Sequence, residues 1–261
     1  MDQEQLNSHY KRLAGTYNQS FSSSSDADKK GYVFLGEEGA RTLMALLQLR
    51  KQDKLVDLGA GTCVLALQLA KLAGLEQSVL CVEPVQEMLD VALKDNPDNI
   101  ETFCEVAEEF VARDIHYDKI IIKGTVHHFP RDHLEQIFAG ISRQLNKNGI
   151  LLIEKVSGKT SISSFFKRGH ELHRQTHEGL SERLMQILSD LGMKVEYKTV
   201  TADSSKTKAE TIEYMRNRSV SSWEMLSDEE IEEGIRSIQE SGEEIITSSV
   251  EKEIIVATKS G

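Results

Sequence analysis

Between Lys54 and Glu154 the chain alternates short apolar runs with segments of helical periodicity, and this feature narrows its fold most sharply. The runs are Lys54–Leu58, Ser78–Glu83, the short Asn99–Phe103, Tyr117–Lys123 and Gly149–Glu154. Helical segments lie near 62–73, 85–94, 105–113 and 131–145. Residues that are apolar consecutively, rather than alternately, belong to strands buried on both faces. A helix between successive strands is the connection that parallel pairing requires. The pattern predicts an α/β, doubly wound, Rossmann-like fold with a seven-stranded, mostly parallel sheet.

The flanks read differently. Residues 1–50 are mainly helical, with Leu6, Tyr10 and Leu13 at helical spacing. A serine-rich turn follows from Ser20 to Ser25. A second helix from about Gly31 carries Leu35, Leu43, Leu46 and Leu47. After Glu154 the rhythm breaks into a helical stretch over 161–191 and a strand over 193–200. Helices over 207–218 and 227–240 come next, then a last strand over 244–259. Ser227-Asp-Glu-Glu230 has the residues of a helix start.

Charge and composition exclude several classes of function. Lys and Arg number 31 against 42 Asp and Glu, a net charge of −11, which repels polyanions; nucleic acid is not an expected partner. The opening Met1-Asp-Gln-Glu4 lacks the apolar core of a signal peptide, and no apolar run nears the ~20 residues that span a bilayer. Three cysteines, Cys63, Cys81 and Cys104, fit neither a disulfide framework nor a metal spacing. A cytoplasmic protein with no membrane partner and no metal is expected, its oligomeric state left open.

The residues that bear chemistry begin at Leu55-Val-Asp-Leu-Gly-Ala-Gly-Thr-Cys63. A strand ends at an acidic residue, and Gly59 and Gly61 turn the chain into a helix. Glycine there lets the backbone approach a ligand or adopt positive φ. The turn lies at the carboxyl end of the first strand, where open α/β sheets bind nucleotides. Glu83 closes the second strand 22 residues after Gly61, where a carboxylate can accept both hydroxyls of a ribose. A dinucleotide fingerprint would place a third glycine where Val64 stands. Asp57 would also face a pyrophosphate with like charge, whereas it suits a cationic amino group.

Val56-Asp-Leu-Gly-Ala-Gly-Thr62 resembles motif I of class I S-adenosylmethionine (SAM)-dependent methyltransferases. Val82-Glu-Pro-Val-Gln-Glu-Met-Leu89 resembles their second-strand motif, and Tyr117 to Phe129 the fourth-strand motif of the ubiquinone-biosynthesis-like, small-molecule (type 11) branch. Leu145 to Glu154 resembles the segment leading into strand five, and His9 to Tyr17 that branch's opening helix. The resemblance implies SAM as cofactor, bound by Tyr17, Asp57, Gly59, Ala60, Gly61, Glu83, Pro84, Met88, Ala107, Glu108, Lys123 and Gly124. It also implies one domain over 1–261: a helical cap over 1–50, a SAM-binding core over 51–156, and substrate-covering helices and last strands over 157–261. Three departures stand out. Cys63 occupies a position where glycine is common, Asn148 replaces the first of a Gly-Gly pair, and Val106 stands where an Asp often binds the adenine.

His127 and His128 follow the fourth strand and are the candidate catalytic residues, as a general base for an O–H or N–H acceptor or as packing against the next helix. Lys123 either holds an acidic group or extends to solvent; beside a sulfonium it calls for an anionic partner. His170, His173 and His177 share one helical face, expected to be solvated, with pocket lining or metal ligation the alternatives. Tyr214, Arg216 and Trp223 are candidates to clamp a substrate, Trp223 equally a packing anchor. The expected reaction is direct SN2 methyl transfer to a small-molecule O, N or S acceptor. The alternatives are a catalytically silent SAM-binding regulatory module, a nicotinamide-dependent oxidoreductase, or a protein side chain as acceptor.

Overall fold

The computed structural model describes residues 2–20, 36–94, 97–159 and 166–260. The serine-rich turn beyond Ser20, and the expected helix start over 31–35 with Leu35, lie outside them. The chain opens with α1 (Gln3–Leu13), α2 (Tyr17–Ser20) and α3 (Gly36–Leu46). Alternation then runs β1 (Leu55–Leu58), α4 (Val64–Ala73), β2 (Val79–Val82), α5 (Gln86–Leu93), β3 (Ile100–Phe103), α6 (Ala107–Ala112), β4 (Tyr117–Lys123), α7 (Leu134–Gln144) and β5 (Leu145–Val156). The later elements are α8 (Lys167–His177), α9 (Leu180–Asp190), β6 (Met193–Thr207), α10 (Lys208–Arg216), α11 (Asp228–Glu240) and β7 (Ile245–Lys259).

Seven strands form one sheet in the order β3-β2-β1-β4-β5-β7-β6, and β1 to β5 pair in parallel. All four residues of β1 and all four of β2 are buried, as strands covered on both faces must be. The order reverses at β1, which has β2 on one side and β4 on the other. The carboxyl ends of β1 and β4 therefore flank the crevice where such sheets bind ligands.

Packing divides the chain into two compact units. Unit 1 comprises Met1–Val33, Val156–Glu178 and Val200–Lys252; unit 2 comprises Phe34–Lys155, Gly179–Thr199 and Glu253–Gly261. Unit 2 holds the larger apolar core, in which Phe110, Tyr117, Ile120, Phe138 and Leu151 are fully enclosed. Unit 1 has a smaller core built on Phe166, Met215, Trp223, Ile235 and Ile238.

Local chemistry sets the element ends. Asp2, Thr207 and Ser227 cap α1, α10 and α11, each in a reciprocal box with Gln5, Glu210 or Glu230. The stretch expected as one helix over 161–191 is two, because Gly179 at φ 67° breaks it between α8 and α9. Asn148 takes φ 63°, the left-handed conformation that asparagine tolerates and that lets it replace glycine. No helix among the described residues is long and apolar enough to cross a membrane.

Candidate functional site

The loop after β1 is drawn tight against its neighbours. The amides of Gly59 and Ala60 both donate to the Val82 carbonyl, at 2.8 and 3.0 Å, tying the loop to the end of β2. Gly59 sits at φ 80°, and a Cβ there would come within 2.3 Å of Thr125 Cγ2, so the loop after β4 closes over it. Gly61, at φ 54°, lies beside Met88, whose Cε would be 3.4 Å from a Cβ at that position. Cys63 continues the turn in the left-handed region at φ 55°, fully buried before the first turn of α4.

Glu83 is 7% exposed, and backbone holds both of its oxygens. The Gly61 amide donates to Oε2 at 3.0 Å and the Val85 amide to Oε1 at 3.1 Å. Burial nevertheless pushes its pKa up to about 7, because desolvation outweighs the two amide hydrogen bonds that favour the charged form. Asp57, 2% exposed, is also pushed up to about 7, chiefly by burial; Lys123 opposes the shift and Glu83 adds to it. Two buried carboxyl groups, both pushed up toward neutrality by burial, thus stand at the head of the parallel sheet.

Lys123 has the anionic partner that its position calls for. Its Nζ lies 3.8 Å from Oε2 of Glu154, which is fully buried at the corresponding place on β5. Gly124, at φ 67°, donates its amide to the Glu154 carbonyl at 2.8 Å. His127 and His128 form a short 3-10 turn with Val126 and are half-buried, their rings 3.9 Å apart. Pro84 is half-buried, and Ala107 is buried at the first turn of α6. Glu108 accepts from His133 Nδ1 at 2.8 Å and lines an open cavity of about 430 Å³ with Val111, Arg113 and Arg143.

Unit 1 holds the remaining candidates and revises several of them. Tyr17 packs edge-on to Tyr10, with ring centroids 6.1 Å apart. The face shared by His170, His173 and His177 is not solvated: His173 and His177 are each 5% exposed, their rings 4.4 Å apart, and His170 is half-buried. His173 Nε2 lies 3.3 Å from the Ser157 carbonyl. Helical spacing placed the three on one face correctly, but not the direction in which that face turns. Trp223 is a packing anchor, 1% exposed and edge-on to Phe166 and Tyr214. Arg216 faces Glu232 at the surface, and the cation over the Tyr214 ring is Lys206. Arg218 fastens the turn Ser221–Met225 through the carbonyls of Trp223 and Leu226. Sequence reading also missed the pairing of His9 with Glu224, 215 residues apart. No group of three or more His, Cys, Asp or Glu that could hold a metal occurs among the described residues.

Residues 55–149 match the model of a family described as a methyltransferase domain. No curated protein sequence matches the chain. Solved structures of similar fold include the cyclopropane synthase MmaA2 from Mycobacterium tuberculosis, 14% identical with a TM-score of 0.62, covering 98% of each chain. Precorrin-6y C5,15-methyltransferase from Geobacter metallireducens is 16% identical with a TM-score of 0.55, over 93% of this chain and 96% of that one. Phosphoethanolamine N-methyltransferase 2 from Haemonchus contortus, in complex with SAM, is 19% identical with a TM-score of 0.58. That likeness covers 96% of this chain and 57% of the other. At such identities the structures speak for the fold alone, and the stretch matched by the family model contains the loop after β1 and Glu83. Residues 55–149 thus match a methyltransferase domain, and the chain shares the fold of the solved methyltransferases.

Proposed function

We propose that this enzyme carries the methyl group of SAM to an O, N or S atom of a small molecule by direct displacement, with the cofactor held at the heads of β1, β2 and β4. The observation that carries the reading is the Glu83 carboxylate. Each oxygen accepts one backbone amide and keeps acceptor capacity for one further donor, so the pair can take the two hydroxyls of a ribose. Gly59 leaves backbone where a Cβ would intrude, and Gly61 takes the positive φ that turns the chain into α4. Asp57 would hold the cofactor's amino group, with Lys123 and Gly124 bordering the same end. Pro84, Met88, Ala107 and Glu108 would flank the adenine.

Bound SAM supplies a methyl carbon made electrophilic by its sulfonium. The chain's own part is to fix that carbon in line with the nucleophile and to keep water out. Glu154, facing Lys123, offsets a cation that would otherwise disfavour a sulfonium nearby. His127 and His128 remain the candidates of unit 2 for taking a proton from the acceptor. The net charge of −11 favours a small acceptor over a polyanion.

Calorimetric titration with SAM and with S-adenosylhomocysteine tests the reading. Asp57→Ala and Glu83→Ala should each weaken SAM binding by about 30-fold, the loss of roughly 2 kcal/mol of charge-assisted hydrogen bonding. Unchanged affinity in both variants would remove the assignment of these residues.

A further inference from the structure

Within unit 2, the heads of β4 and β5 carry an enclosed charge pair. Lys123 and Glu154 are register partners at the end of β4, and Glu154 is 0% exposed. Its Oε2 lies 3.8 Å from Nζ of Lys123, whose side chain keeps 20% of its surface open. Two observations bring this pair to the loop after β1. Asp57 stands in register with Ile121, two residues before Lys123; burial raises the Asp57 carboxyl, and the Lys123 charge opposes that rise. Beyond Lys123 the chain packs so closely on Gly59 that a Cβ there would meet Thr125. Asp57, Glu83 and Glu154 thus set three buried carboxyl groups against one lysine along the heads of β2, β1, β4 and β5.

A buried ion pair adds little stability over apolar residues of the same volume, and a charge enclosed this far is weakly screened. Its field therefore acts on any charge that arrives beside it. Charge at the sulfur is what separates SAM from S-adenosylhomocysteine. Once the methyl has left, its bonding pair stays on sulfur and the cofactor carries one positive charge fewer. Lys123 disfavours a nearby sulfonium, Glu154 favours it, and the neutral thioether is nearly indifferent to both.

Resting on the reading of the loop after β1 and Glu83 as the SAM site, we propose that Glu154 is a specificity-determining residue. It keeps the Lys123 end of the site receptive to the sulfonium, and so sets the preference for SAM over the spent product. It acts by its charge, in concert with Lys123, and not as an acid or base. The same preference limits inhibition by the product.

The experiment is calorimetric titration of the full chain with SAM, S-adenosylhomocysteine and sinefungin, whose amine puts a positive charge where the sulfonium stands. Glu154→Gln should weaken both cationic ligands about tenfold relative to S-adenosylhomocysteine, the effect of one buried unit charge at low effective dielectric. A purely structural role would weaken all three alike and leave the ratios in place. Glu154→Gln combined with Lys123→Met removes both charges and should return the ratios to near their wild-type values. If Glu154→Gln does not fold, Lys123→Met decides: removing the cation should move the ratios the other way, toward the cationic ligands. Ratios left unmoved by the deciding variant overturn the proposal. A shift that persists in the double variant also overturns it, because charge would then not be the cause. A wild-type chain that binds none of the three ligands defeats the reading of the site, whereas binding with unmoved ratios defeats only this inference.

Discussion

The heads of β1 and β2 in unit 2 and the turn Ser221–Met225 in unit 1 both bury charged or polar side chains, and they satisfy them by opposite means. Glu83 is held by amides 22 and 2 residues away, all within one strand–turn–helix neighbourhood. His9 is held by a carboxylate 215 residues away, and its other nitrogen has no hydrogen-bond partner among the described residues. The first kind of satisfaction is written into adjacent sequence and can be read there. The second exists only after the chain has folded.

The largest expected effect challenges the independence of the two regions. Trp223→Ala removes the most voluminous enclosed side chain of unit 1 and should cost about 3–5 kcal/mol of stability by denaturant titration. SAM affinity should stay within twofold of wild type where the variant is folded. A parallel loss of SAM binding would mean that the cofactor side depends on unit 1.

A smaller effect tests the closeness of the loops in unit 2. Gly59→Ala forces a Cβ into Thr125 at a positive φ and should destabilise by about 3 kcal/mol. Adding Thr125→Ala should recover the steric part but leave the backbone strain, so the double variant should lie between the single variant and wild type. Full recovery would show that φ at residue 59 costs nothing.

The smallest effect is in pH. Asp57 and Glu83 have folded pKa values near 7 against about 4 in an unfolded chain, so the folded chain binds more protons between those values. Stability of the free enzyme should therefore fall as pH rises from about 4 to about 7 and level off above. SAM affinity should move the other way, rising through pH 7 as Asp57 ionises to meet a cationic amino group. Calorimetry in buffers of different ionisation enthalpy should register proton release on binding below pH 7. Affinity that stays flat from pH 6 to pH 8 would detach Asp57 from the cofactor.

What the sequence discloses follows the same division. The alternation from Lys54 to Glu154 places β1 to β5 within a few residues, because consecutive apolar residues at that length have few other ways to be buried. Gly59, Gly61 and Glu83 are legible because their geometry is local. The break at Gly179 is not, since a glycine inside a helical pattern can continue the helix or end it, and only its φ of 67° decides. The burial of His173 and His177 escapes for a related reason: spacing identifies a face, while tertiary packing decides where the face turns. Lys206, rather than an arginine, lies over Tyr214 because the partner comes from another element.

The strand order has a consequence for synthesis. In the sheet, β7 lies between β5 and β6, although it is made after both. While residues 245–259 are still unmade, β5 and β6 each lack the neighbour that finally covers their edge, and open edges invite pairing with other chains. Unit 1 is likewise incomplete until Lys252 has been made. A nascent chain thus carries a sheet with a gap from the completion of β6 until β7 has been made, and its yield should depend on how quickly that fifteen-residue strand arrives to close it.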